Sequence, residues 1–111
     1  MADVIPFDQR EGSLWFDGAM VPWGDARIHV LTHGLHYASC VFEGERMYSG
    51  RIYKLAEHTT RLFKSAEILG MKIPYTEDEI NKACMQACEV QGFTDAYIRP
   101  VVWRGSEMMA V

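Results

Sequence analysis

Hydrophobic and polar positions change their period along this chain, and each change marks an element. In residues 14–23, LWFDGAMVPW, aromatic and β-preferring side chains flank Asp17-Gly18, a strong two-residue turn signal, so a hairpin is predicted. A second hairpin is predicted from CVFEGERMY (40–48) and RIYKL (51–55), joined at Ser49-Gly50. The period then lengthens. Leu55, Leu62, Ala66 and Leu69 recur at helical spacing, predicting a helix over about 56–69 that Gly70 ends. Thr76 and Glu79 form a capping box that opens a second helix, running to about Val90 and closed by Gly92. Its apolar stripe is Ile80, Ala83, Cys84, Ala87 and Val90. AYIRPVVWR (96–104) reads as a strand, with Pro100 marking an edge or a bulge. The order ββ, ββ, αα, β predicts an α+β fold: a mostly antiparallel sheet with two helices packed on one side, as a single domain over 1–111.

The stretch HGLHYASCVFEGERMY (33–48) reads as strand-like and crowds reactive and aromatic side chains together. Strand alternation puts Phe42, Gly44, Arg46 and Tyr48 on one face, and Val41, Glu43, Glu45 and Met47 on the other. The first set can wall an apolar pocket with a polar end, where bare backbone at Gly44 lets a ligand or another chain segment approach. It can equally be an ordinary half-buried sheet face, and the pattern by itself favours that.

Composition narrows the classes. With 49% hydrophobic and 23% charged residues in 111, the chain is an ordinary globular domain. A net charge of −4 without a basic cluster argues against nucleic acid. No apolar run reaches membrane-spanning length, and the polar N-terminus has no export signal. Three cysteines without such a signal predict reduced thiols in a cytoplasmic setting. Cys84 and Cys88 share a helix face at a spacing that fits small buried side chains better than zinc. His29, His33 and His36 would gather on one face only of a helix, which β-prone IHVLT and Gly34 argue against, so they are expected to orient loops rather than bind metal. Cys40 and His36 would lie about 13 Å apart on a strand, too far to act as a pair. No phosphate-binding glycine motif and no nucleophile elbow is present. Arg61 follows Glu57 at i+4 and reads as a solvated ion pair, with a phosphate-binding arginine as the alternative.

Taken in order, THGLHYASCVFEGERMY, EHTTRLFKSAEIL, IPYT and AYIRP closely resemble the branched-chain amino acid aminotransferases, pyridoxal-phosphate enzymes of fold-type IV. The likeness runs from about Trp15 to Val111; the EHxxRL element alone is shared with D-amino acid aminotransferases and aminodeoxychorismate lyases. The resemblance implies the small N-terminal domain of a two-domain enzyme that moves an amino group between leucine, isoleucine or valine and 2-oxoglutarate. It makes Arg61 the holder of the cofactor phosphate, reversing the ion-pair reading. Phe42 and Gly44 become walls of the side-chain pocket; Tyr97 and Arg99 become pocket groups, Arg99 facing a substrate carboxylate. Tyr37 is implied to be lent across a homodimer interface, and Val111 to belong to a loop that reaches a neighbouring site. Ala38, Cys40 and Glu45 depart from residues common in the family (glycine, serine or threonine, and isoleucine). None of Lys54, Lys64, Lys72 and Lys82 matches the motif of the family's Schiff-base lysine, which belongs to the second domain. With GSEMMAV reading as a cut after a strand, the isolated chain is expected to be inactive and to self-associate. The competing readings are a stand-alone binding or interaction module, and a related D-amino acid aminotransferase or lyase.

Overall fold

In the computed structural model, residues 4–109 are described. Strands β1 (Ser13–Phe16) and β2 (Ala19–Pro22) form the first expected hairpin, with Phe16 opposite Ala19. Asp17 (φ 45°) and Gly18 (φ 102°) both take positive φ, as a tight two-residue turn matching strand twist requires. The Tyr75 hydroxyl donates to Asp17 Oδ1 at 2.8 Å and ties this turn to the rest of the chain.

The strand-like reading of 33–48 is corrected in its first part, where the structure has a short helix, α1 (His33–Tyr37). Gly34 does not interrupt that helix. A Cβ there would meet the Trp103 Cβ at 3.2 Å, so glycine lets α1 lie against the chain beyond it. The first N–H groups of α1 are satisfied from the same side: His33 donates to the Gly105 carbonyl and Gly34 to the Arg104 carbonyl. Ala38 ends α1 in the left-handed region (φ 57°, ψ 28°), a conformation in which its Cβ is strained. Ala38→Gly is therefore expected to stabilise the chain by about 0.5–1 kcal/mol, after the entropy glycine adds to the unfolded state. A urea midpoint that stays level or falls would show that the strain is relieved by neighbours.

The remainder of the segment is β3 (Cys40–Phe42) and β4 (Glu45–Tyr48), and β4 turns through Ser49-Gly50 into β5 (Arg51–Ile52). The second arm is shorter than the expected 51–55, because Lys54 takes a left-handed conformation (φ 57°) and caps helix α2 (Leu55–Ile68). Helix α3 (Glu77–Gln91) follows with its capping box formed as expected: Glu79 N donates to Thr76 Oγ1, and Thr76 N donates to Glu79 Oε1. Gly92 closes it at φ 72°.

The expected strand 96–104 is divided into β6 (Ala96–Ile98), antiparallel to β4, and β7 (Val101–Trp103), antiparallel to β3. Pro100 explains the division, since it has no N–H to donate, while its carbonyl accepts from Glu43 N at 3.0 Å. The register passes unchanged through the gap. Phe42 is opposite Val101 and Glu45 opposite Ile98, so three steps on one strand match three on the other. β3–β4 and β6–β7 thus make one long ribbon, interrupted once in the middle.

The face alternation predicted for 41–48 is present. Glu43, Glu45 and Met47 are buried under the helices, while Phe42, Gly44, Arg46 and Tyr48 are exposed. Among the described residues all four pairings are antiparallel, in three small sheets, and both long helices lie on the buried side. Leu62 of α2 and Ile80 and Cys84 of α3 form the core, packed by Val41, Ile98 and Val102 from the ribbon and by Trp15. Cys84 and Cys88 are both buried, but the outer ends of the two predicted stripes, Leu69 and Val90, are exposed.

Candidate active site: a sheet face and a carboxylate-held arginine

Four of the residues singled out from sequence meet on the exposed face of the ribbon. Cross-strand partners share a face, so Tyr97, opposite Arg46, and Val101, opposite Phe42, join Phe42 and Gly44 there. Tyr97 leans over Gly44 so closely that a Cβ on Gly44 would lie 2.8 Å from its hydroxyl oxygen and 3.1 Å from its ring. The guanidinium of Arg99 stacks on Phe42, 3.6 Å from the ring centroid, and its Nη1 donates to the Tyr97 hydroxyl at 3.2 Å. Both side chains cross the ribbon diagonally, in the space that the missing side chain of Gly44 leaves. The result is an apolar and aromatic surface with the Arg99 guanidinium over it, and among the described residues only one of its five N–H donors, on Nη1, has a hydrogen-bond partner.

Arg61 lies elsewhere. The expected pair with Glu57 is not formed; Glu57 meets Lys54 instead, at 3.4 Å. Arg61 reaches across to Glu43 and binds it with a fork, Nε to Oε2 at 2.8 Å and Nη2 to Oε1 at 2.7 Å. His58 Nδ1 is 2.7 Å from the same Oε1 and donates to it. The Arg61 fork holds the Glu43 carboxyl below the usual carboxylate range, His58 helps, and burial works against both. Glu43 stands between Phe42 and Gly44 in sequence but points the opposite way. The arginine anchor and the pocket face are thus joined through one residue.

Glu43 and His58 are the site residues that sequence reasoning missed. Alternation did place Glu43 on the face opposite Phe42 and Gly44; what it lacked was any signal that α2 would bring Arg61 and His58 to that face. Tyr37 is not brought into the cluster. It is half-exposed at the end of α1, with its ring 4.4 Å from that of buried His33. Val111 lies outside the described residues. The histidines do orient loops: His33 Nδ1 is bonded to Ser39 Oγ, His36 Nε2 to the Val30 carbonyl, and His29 Nδ1 accepts from Leu31 N. His36 is therefore engaged with Val30 and not with Cys40.

Comparison with known proteins agrees with this architecture. The Amino-transferase class IV family matches residues 40–110. A probable branched-chain-amino-acid aminotransferase of Rickettsia felis is 51% identical over 108 residues, covering 97% of this chain and 37% of that protein. The branched-chain-amino-acid aminotransferase of Pseudomonas aeruginosa is 50% identical over 106 residues, covering 92% of this chain and 34% of that protein. Among solved structures, the T.th. branched-chain amino acid aminotransferase complexed with N-(5'-phosphopyridoxyl)-L-glutamate superimposes with a TM-score of 0.87 at 37% identity, covering 91% of this chain and 36% of that one. This chain therefore spans little more than a third of the relatives it matches.

Proposed function

The chain belongs to the Amino-transferase class IV family, and from that premise we propose that it forms the N-terminal part of a branched-chain amino acid aminotransferase. The reaction is amino transfer between leucine, isoleucine or valine and 2-oxoglutarate, with pyridoxal phosphate as cofactor. One observation carries the reading: an apolar face of Phe42, Gly44 and Tyr97 over which the Arg99 guanidinium is held by the Phe42 ring and the Tyr97 hydroxyl. A pocket that accepts both a branched hydrocarbon and a glutamate side chain needs apolar walls and one cation for the distal carboxylate. Phe42 and Val101 supply wall, and the free donors of Arg99 can bind a carboxylate by two parallel hydrogen bonds. Tyr97 holds that guanidinium in place through its hydroxyl.

Arg61 fits a phosphate. Its side chain is about two-thirds exposed, and its Nη1 has no partner among the described residues. Bound there, the cofactor supplies the electron sink for the reaction, and the chain supplies orientation and charge. The covalently attaching lysine comes, on this reading, from polypeptide beyond these residues. Tyr37 and Val111 are assigned to the pocket of a second copy, which makes the enzyme a homodimer with shared sites. No helix among the described residues is long and apolar enough to cross a membrane, and all three cysteines are free thiols, which supports a cytoplasmic setting.

The test is formation of glutamate from leucine, isoleucine and valine with 2-oxoglutarate and pyridoxal phosphate. The chain alone is expected to form none, and the chain supplemented with the second domain of a relative is expected to turn over all three amino acids. Turnover by the chain alone would overturn the division of labour between domains. Activity in the supplemented system confined to D-amino acids would overturn the branched-chain assignment.

A further inference from the structure

Glu43 is a costly residue for this position unless it has a task. It is buried, with 5% of its side chain exposed, at the interruption between β3 and β4, and it places a negative charge beside an arginine assigned to an anion. We propose that Glu43 is a positioning residue, braced by His58, that fixes the Arg61 guanidinium so that its free Nη1 edge faces the cofactor phosphate. The inference rests on the phosphate reading of Arg61 and goes beyond it, by assigning the two groups that aim the arginine.

The geometry supports this residue by residue. A largely exposed arginine on a helix samples many rotamers. Here the Nε–Nη2 edge is bound by both carboxylate oxygens, at 2.8 and 2.7 Å, which fixes the plane of the guanidinium as well as its place. The carboxylate is itself fixed. Glu43 N donates to the Pro100 carbonyl at 3.0 Å, inside a ribbon whose register does not slip, and His58 Nδ1 holds Oε1 at 2.7 Å. His58 and Arg61 lie three apart on α2, so one turn of helix presents both to the same carboxylate. Only the outward edge of the fork is left for a ligand.

Two effects of opposite sign compete. Glu43 repels an incoming phosphate dianion from behind the guanidinium, weakening binding by about threefold at physiological salt. Fixing the arginine in advance strengthens it, by up to about thirtyfold if all the rotamer freedom is removed beforehand. Pre-organisation therefore wins, and removal of the charge should weaken phosphate binding. A residue that acted only as a charge would do the reverse.

The experiment is titration of the intact protein with pyridoxal phosphate and, separately, with pyridoxal, followed by fluorescence and absorbance. Wild type is compared with Glu43→Gln, His58→Gln and Arg61→Ala. Glu43→Gln is expected to raise the Kd for pyridoxal phosphate about fivefold and to leave pyridoxal within about twofold. His58→Gln should shift the same ratio in the same direction by less, and it serves if the first variant does not fold. Unchanged or tighter pyridoxal phosphate binding in both variants, while Arg61→Ala weakens it selectively, would overturn the positioning role alone. If Arg61→Ala leaves the phosphorylated and unphosphorylated ligands equally bound, the phosphate reading falls, and the inference with it.

Discussion

Gly44→Ala is expected to cut kcat/KM for amino transfer by about tenfold to a hundredfold in the complete enzyme, while stability stays within about 1 kcal/mol of wild type. The backbone permits alanine, because Gly44 is not among the glycines with positive φ. What does not permit it is Tyr97, whose hydroxyl oxygen lies 2.8 Å from the new Cβ. Tyr97 is half-exposed, so it can swing away at little cost to the fold. Swinging away, however, takes its hydroxyl from Arg99 Nη1 and releases the guanidinium that lies on Phe42. The loss is thus expected in the geometry of the pocket, not in its folding. Steady-state kinetics and a urea titration on the same preparation check both halves. In the double variant with Tyr97→Ala, the Gly44→Ala penalty should vanish, because the clash has no partner. A drop of several kcal/mol in stability, or full activity, would mean that the close approach over Gly44 is not what organises this face.

Glu45→Ile is expected to stabilise the chain by about 1–2 kcal/mol at pH 7. Glu45 is 1% exposed, and neither carboxylate oxygen has a hydrogen-bond partner of ordinary geometry. The Cys84 thiol beside it is a weak donor that offsets only part of the cost, and burial pushes the Glu45 carboxyl above its usual range. The sign follows from that direction. The unfolded chain gives up this proton near an ordinary glutamate value of about 4.3, whereas the folded chain holds it to higher pH. Wild-type stability therefore declines as pH rises from that value through the raised folded one, and the isoleucine variant lacks this decline. Denaturant midpoints at pH 5 and pH 8 read it directly: the gain should be larger at pH 8. Equal gains at both values, or a loss, would show that Glu45 is satisfied in the folded chain. Isoleucine also suits the site's shape, since a β-branched side chain packs well on a strand.

Glu43 and Glu45 show how far the sequence could be read. Alternation places both on the same face of the strand, and both are buried there. Nothing local distinguishes the one that is matched by a fork and a histidine from the one that is left unmatched. The difference is which part of α2 or α3 lies opposite. Arg61 makes the same point from the other side. Its i+4 neighbour Glu57 is the partner that spacing offers, but its actual partner is 18 residues away. That partner is stronger because a buried carboxylate has no competing water and can be held by both oxygens.

The sequence by itself determined the elements whose causes act within a few residues. These are the two turns at Asp17-Gly18 and Ser49-Gly50, the Thr76–Glu79 capping box, both long helices, and the two faces of 41–48. The ordered motifs also carried the family. Only the tertiary structure decided where the chain overrides those local preferences. Gly34 stays helical because β7 needs to pass close to it, and Pro100 divides one strand into two while the register holds. Tyr97 crosses onto Gly44, and Glu43 takes Arg61 from Glu57. Each of these is a contact between residues far apart in the chain, fixed by packing and desolvation once helices and ribbon meet, and short-range propensity contains no term for it.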